Sequence, residues 1–244
     1  MMMDLSFQQE LPALEDVWVA LDLETTGLSP ETDEIIEVGA LKFRGDETLG
    51  TFQAFVNPNR GLSEFVKRFT GITQTEVDAA GPISTITTDL VDFIGTAPLV
   101  GHNVGFDLRF LASKGLPLSN PRADTWDLAF VLMPGSREYS LTKLATSLGI
   151  DHTRPHRAIP DASATRELFL KMRKRAADLD VYTLAEMQQL AAKSSWVLSY
   201  LLRSLTMEKI ASQIEAPSPT KMLQATPTPR FNVGGIDLTP LKGR

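Results

Sequence analysis

The 244-residue sequence contains no cysteine. That excludes disulfides, thiolate nucleophiles and cysteine-based zinc sites. No segment approaches the ~20 apolar residues a membrane-spanning helix requires, so no membrane partner is expected. The opening MMMDLSFQQELPALED lacks a basic stretch followed by an apolar one, and no secretory signal is expected. Internal repeats and a Walker A sequence are also missing, so the chain is not expected to be an NTPase. Positive charge is in short supply: 24 Lys and Arg stand against 30 Asp and Glu, for a formal net charge of −6. This argues against a general basic coat for nucleic acid but leaves room for a local basic groove. What is present, 43% hydrophobic and 22% charged residues, describes an ordinary soluble globular protein, and a cytoplasmic location fits.

Short apolar runs alternate with helical patterns over residues 15–178, which predicts an α/β layer fold. VWVALDL (17–23) reads as a central strand. EIIEVGALKF (34–43) and GTFQAFVNP (50–58) read as two more, joined through RGDE as a hairpin, so the three are antiparallel neighbours. Two short helices around Gly71 follow, then a helix from ISTITTDLVDFIG ending at Gly95. APLVGHN (97–103) is a short buried strand, and FDLRFLASKG a helix. A weak strand lies around RADTWD, with helices near 126–133, 140–148 and 160–177. The expected organisation is an N-terminal extension (1–15), an α/β domain (16–178), a strand-free helical appendage (179–214) and a Pro/Thr-rich flexible tail or linker (215–244).

The anomaly is in the first strand. Asp22 and Glu24 close an apolar run, and ionised carboxylates are costly to bury without a partner. Two apart on a strand, they point to one face, suited to a shared cation, while Thr25 points the other way. An acid-x-acid pair alone is weak evidence, because it recurs at Glu76/Asp78 and Asp178/Asp180, where helix or loop surface accounts for it. Further along, GHNVGFDLRFL places Asp107 in a helical first turn, where by itself it would complement the helix dipole. RPHRAIPDASAT places His156 in a loop and Asp161 at a helix start beside Pro160, again unremarkable in isolation.

In chain order the elements DLETTGL, HNVGFD and HRAIPD resemble the DEDDh family of 3′–5′ exonucleases, notably the proofreading epsilon-subunit (DnaQ-like) branch of bacterial DNA polymerase III. The resemblance covers residues 16 to about 175, including IIEVGALKF, FVNP, TGIT and DTWDLA. It implies an RNase H-like fold whose mixed five-stranded sheet joins three antiparallel strands to two parallel ones. Asp22 and Glu24 match the family's first motif, Asp107 the second, and His156 with Asp161 the third. Pro160 stands where the family more often has a polar residue, and a proline at a helix start leaves the next carboxylate in place.

Four carboxylates within ~5 Å repel by roughly 3 kcal/mol per pair at an effective dielectric of about 20. Hard divalent cations relieve this, and all-oxygen ligands indicate Mg²⁺ or Mn²⁺ rather than zinc. Two such ions suit phosphodiester hydrolysis. The resemblance implies that Asp22 bridges both ions, Glu24 and Asp161 complete one shell, Asp107 supports the other through water, and His156 is the general base. It also implies that the backbone of Thr25, Thr26, Gly27 and Leu28 meets the terminal nucleotide while an apolar side chain packs on its base. Phe106 is a second stacking candidate, with core packing as the alternative. His102 and Asn103 lie at a strand end; His102 reads as structural support or a substrate-edge contact ahead of catalysis. Asp124 and Asp127 read as turn-fixing rather than ligands. The basic run KMRKRAA (171–177) reads as a solvated helix face, with phosphate contact as the alternative.

The expected substrate is a single-stranded or frayed DNA 3′ end, cut to nucleoside monophosphates in proofreading or repair. An RNase T-like or oligoribonuclease-like RNA exonuclease uses the same five groups, and 2′-OH recognition has no readable motif. A catalytically dead interaction module is the reading from a different class. TLAEMQQLAAKSSWVLSYLLRSL (183–205) resembles segments that follow the exonuclease in DinG-type helicases. The tail is a candidate tether to a DNA polymerase or helicase subunit.

Overall fold

In the computed structural model of the protein, residues 17–193 and 198–215 are described. The expected N-terminal extension and Pro/Thr-rich tail therefore lie outside the described residues. Strands β1 (Trp18–Thr25), β2 (Ile35–Arg44), β3 (Glu47–Phe55), β4 (Leu99–Gly101) and β5 (Arg122–Asp124) form one sheet in the order β3-β2-β1-β4-β5. β1, β2 and β3 are antiparallel, whereas β4 and β5 run parallel with β1. This is the mixed five-stranded sheet that the resemblance implies and with which the strand pattern agrees. β3 starts three residues earlier than its apolar run indicates. The reversal needs only Gly45 and Asp46, with Arg44 paired to Glu47 and Gly45 at φ +53°, a conformation glycine adopts without strain.

The helices are α1 (Glu64–Thr70), α2 (Gln74–Asp78), α3 (Thr87–Ile94), α4 (Val104–Ser113), α5 (Thr125–Leu132), α6 (Leu141–Leu148), α7 (Ala158–Ala177), α8 (Val181–Lys193) and α9 (Ser199–Glu215). The single helix expected from Ile83 is instead a 3₁₀ turn, Ile83–Thr85, followed by α3. α7 begins two residues before Pro160, which occupies the third helical position, where an amide has no intrahelical acceptor to lose.

Alternation along β1 separates two cores. Val19, Leu21 and Leu23 pack with Leu90 and Ile94 of α3 and Leu108, Phe110 and Leu111 of α4. Trp18 and Ala20, on the opposite face, pack with α5, α6 and α7 and with Leu184, Leu201, Leu202 and Leu205 of α8 and α9. Asp22 and Glu24 continue the Trp18–Ala20 row, so the period of two aims them at the α7 face. α7 comes close there because β2 carries Gly39: a Cβ at that position would lie 2.6 Å from the Ala158 Cβ.

The chain divides into two units, Met1–Lys209 and Ile210–Arg244, and of the second only the end of α9 is described. Within the first unit, the basic run of α7 differs from the expected solvated face. Arg173 is 2% exposed, donates to Glu208 at 3.1 Å and lies over the Trp18 and Phe169 rings. Its neighbours Lys171, Lys174 and Arg175 are exposed. The helical period, not the charge run, decides which cation is buried.

Candidate active site

β4 is only three residues long, so the end of β1 outruns its parallel neighbour and leaves backbone groups open on that edge. Asp107, in the first turn of α4, fills the gap: its Oδ1 accepts the Leu23 amide at 3.0 Å. α4 is aimed by Asp124, whose carboxylate accepts the amides of Asn103, Val104 and Trp126 at 2.9–3.0 Å. Asn103 takes the left-handed φ of +66° that this turn demands. Asp124 is therefore a turn-fixing residue, as the sequence predicts.

On the α7 side, carboxylate oxygens of Asp22, Glu24 and Asp161 all lie within 4.8 Å of one another. Glu24, Asp107 and Asp161 are buried, and Asp22 is partly so. Burial, then the charges of Asp107, Asp161 and Glu24, push Asp22 well above the usual carboxylate range. Burial and then Asp161 raise Glu24 to about 8. Asp107 also reaches about 8, driven by burial and opposed by its backbone hydrogen bonds. Clustered like charges in a dry setting hold protons that way unless a cation replaces them. An all-carboxylate donor set of this spacing fits a hard divalent ion.

Cross-strand register puts Glu24 opposite Glu37 on β2, a like-charge pair that would be unfavourable if uncompensated. Glu37 is fully buried and accepts Arg157 Nε and Nη2 at 3.1 Å each, the Ala158 amide at 3.2 Å and Gln53 Nε2 at 2.6 Å. This bidentate clamp anchors the residue next to His156 and the first turn of α7 to β2, and it raises the Arg157 pKa chiefly through that hydrogen bond. Glu37 and Arg157 are not among the residues that the sequence motifs indicate. The signal was there in a lone glutamate inside the apolar strand EIIEVGALKF.

The same acids open onto a cleft of about 510 Å³. His156 lines it at the far end of the 149–157 loop, with its amide donating to Asp161 Oδ2 at 3.2 Å and an unusual φ of +65°. Its ring stacks on Phe69 with centroids 3.7 Å apart, and Phe69 stacks in turn on Phe65 at 5.4 Å. Burial lowers the His156 pKa, with Asp161 opposing, which favours the neutral ring. Leu28 lines the same cleft and is 84% exposed; Phe65 is 65% and Phe69 48% exposed. Phe65 and Phe69 carry only a faint signal in the sequence, two phenylalanines four apart in LSEFVKRFTG.

Thr25, Thr26, Gly27, Leu28, His102, Asn103 and Phe106 all line this cleft. The Thr26–Glu34 turn is built on Asp33, which accepts the Ser29 amide at 3.0 Å and the Thr26 hydroxyl at 3.3 Å. A Cβ at Gly27 would meet the Asp33 carboxylate, so a larger residue there would displace the group on which the turn is built. Phe106 lines the cleft and also packs on Phe110 with ring centroids 4.8 Å apart, the contact that the core-packing alternative expects. His102 uses both ring nitrogens internally, Nδ1 with the Thr125 hydroxyl at 2.9 Å and Nε2 with the Tyr139 carbonyl at 2.8 Å. Burial lowers its pKa to about 4, consistent with structural support. The two other acid-x-acid pairs contain caps: Glu76 closes the capping box of α2, and Asp180 accepts the Tyr182 and Thr183 amides at 3.0 and 2.9 Å.

The mixed sheet, the carboxylate cluster at the end of its central strand and the histidine on the neighbouring loop form the arrangement that the DEDDh resemblance implies. A family model described as an exonuclease, of RNase T type, matches residues 19–169, and the chain belongs to that exonuclease family. A PolC-type DNA polymerase III of Caldanaerobacter subterraneus subsp. tengcongensis is 37% identical over 178 residues, which is 71% of this chain and 13% of that protein. The 3′-5′ exonuclease DinG of Bacillus subtilis is 30% identical over 203 residues, 81% of this chain and 22% of that protein. The chain thus spans less than a quarter of the length of either relative. Among solved structures, the nuclease domain of 3′hExo, a DEDDh family member bound to rAMP, superposes with a TM-score of 0.58 and 25% identity, over 68% of this chain and 96% of that one.

Proposed function

We propose that the chain is a divalent-metal-dependent 3′–5′ exonuclease acting on single-stranded or frayed DNA ends and releasing nucleoside monophosphates. The observation that carries this reading is the meeting of Asp22, Glu24 and Asp161 oxygens within 4.8 Å, in a cleft shared with His156. Asp107, held against Leu23, is the fourth carboxylate. Mg²⁺ or Mn²⁺ bound there supplies an activated water and stabilises the leaving 3′ oxygen. Asp22, Glu24 and Asp161 hold the ions, with Asp107 in support, and His156 accepts the proton from the attacking water at its ring nitrogen. Leu28 on one wall and Phe65 with Phe69 on the other sandwich the terminal base. Stacking of that kind is indifferent to sequence, as stepwise removal of nucleotides requires. The PolC-type relatives support DNA as the polymer and a larger DNA polymerase as the working context, and the DinG relative supports 3′–5′ exonuclease activity.

RNA is the second reading, favoured by the likeness to a 3′-exonuclease bound to rAMP. End-labelled DNA, matched and 3′-mismatched, and RNA of the same sequence are incubated with Mg²⁺ or Mn²⁺. Monophosphate release from the 3′ end of DNA, faster at the mismatch, is the expected result. Faster RNA turnover selects the second reading. No metal-dependent release from either polymer overturns both.

A further inference from the structure

His152 has no role in the scheme above, yet it touches the cluster. α6 ends at Gly149 in the left-handed conformation, and Ile150 is buried. The loop that follows delivers His152 Nε2 to within 2.6 Å of Asp161 Oδ1. Its side chain is 4% exposed. The same carboxylate receives the His156 amide on Oδ2 at 3.2 Å. With the proton of His152 on Nε2, the tautomer an ionised carboxylate selects, each oxygen is held by a donor from one loop, and each keeps a second lone pair for another partner. A carboxylate turns easily about its terminal bond. Two donors on separate oxygens remove that freedom and set the plane the group presents to Asp22 and Glu24.

A contrast within the protein separates this contact from ordinary packing. His102 spends both ring nitrogens on tying elements together. His152 spends only one: Nδ1 is buried with no partner among the described residues, and Asp161 is what Nε2 addresses. Nor does His152 line the cleft, so it cannot meet the attacking water as His156 does.

We propose that His152 is a positioning residue that orients the Asp161 carboxylate and thereby sets the affinity of the cation site. The proposal rests on the reading of Asp22, Glu24 and Asp161 as cation ligands. Groups that hydrogen-bond a metal ligand characteristically control affinity by about 10–100-fold.

The test compares the full chain with His152→Ala, His152→Gln and Asp161→Ala. Mn²⁺ binding is measured by titration calorimetry, alongside the Mn²⁺ concentration for half-maximal nuclease rate and the melting temperature without metal. His152→Ala is expected to weaken Mn²⁺ binding about tenfold or more and to regain a near-parental rate at saturating Mn²⁺. His152→Gln, whose amide places a donor near the former Nε2, is expected to restore most of the affinity. Parental Mn²⁺ affinity in His152→Ala overturns the proposal. So does equal weakening in both His152 variants accompanied by matching losses of melting temperature, which is the signature of loop packing alone. Undiminished Mn²⁺ binding by Asp161→Ala would instead overturn the ligand reading on which the proposal stands.

Discussion

The rings of His156 and Phe69 stack 3.7 Å apart at an interplanar angle of 28°, so the proposed general base is held against the wall that would receive the terminal base. Two functions meet in one contact. Phe69→Ala is expected to raise KM for single-stranded DNA about tenfold, within the roughly 1–3 kcal/mol that base–aromatic stacking contributes, and to lower kcat by releasing the imidazole. His156→Ala is expected to lose most of kcat and keep DNA binding. Steady-state kinetics with a fluorescence binding assay separates the two variants.

Leu28 stands at the tip of the turn held by Asp33 and is almost fully exposed. Truncating an exposed side chain leaves stability within about 0.5 kcal/mol. Leu28→Ala is therefore expected to keep its melting temperature and weaken substrate binding several-fold. A fall in melting temperature would place Leu28 in the core instead of on the substrate.

Charge removal has opposite consequences with and without metal. Asp22→Asn relieves repulsion with Asp107, Asp161 and Glu24, so the metal-free variant should melt higher than the parent at pH 8. It should also lose turnover and the cation-dependent rise in melting temperature. Differential scanning calorimetry with and without Mn²⁺ reads both.

The pH dependence of stability follows from the raised carboxylates. Glu24 titrates near 8 when folded against 4.5 ordinarily, and Asp107 near 8 against 3.8. Between those limits the folded state holds more protons than the unfolded one, so stability falls as pH rises from about 4 to 8. The metal-free protein should melt progressively lower across that window. Saturating Mg²⁺ or Mn²⁺ should flatten the decline, because the ion takes the place of the protons. A melting temperature independent of pH without metal contradicts the burial of these charges.

Gly39 lets α7 approach β2 at Ala158, three residues before Asp161. Gly39→Ala is an overpacking change expected to cost about 1–3 kcal/mol, and the displaced helix should carry Asp161 away from Asp22 and Glu24. Denaturant unfolding and Mn²⁺ titration should both move. A loss of stability with unchanged Mn²⁺ affinity would show that the site tolerates the shift.

Much of this site is legible along the chain. Asp22 and Glu24 announce themselves by interrupting an apolar strand, and Asp107, His156 and Asp161 by their order and flanks. Glu37 carries the same signal as Asp22, an acid within a buried strand, but its partner Arg157 lies 120 positions away. The edges of β3 and α7 were misplaced because a two-residue turn and a proline within the first helical turn are invisible to hydrophobic period. Arg173 was assigned to solvent because a charge run hides which of its members points inward.

By itself, then, the sequence determined the strands of an α/β layer and the two-residue spacing that aims Asp22 and Glu24 to one face, and it marked five candidate site residues, since period and local chemistry are properties of neighbours. Only the tertiary structure decided that the face is the one α7 covers and that Asp107 seals the open edge at Leu23. It alone brought the aromatic wall of α1 onto His156 and bound His152 to Asp161. Those contacts join residues remote along the chain, and packing brings them together through glycine-sized gaps, a buried clamp and strand lengths that no local pattern encodes.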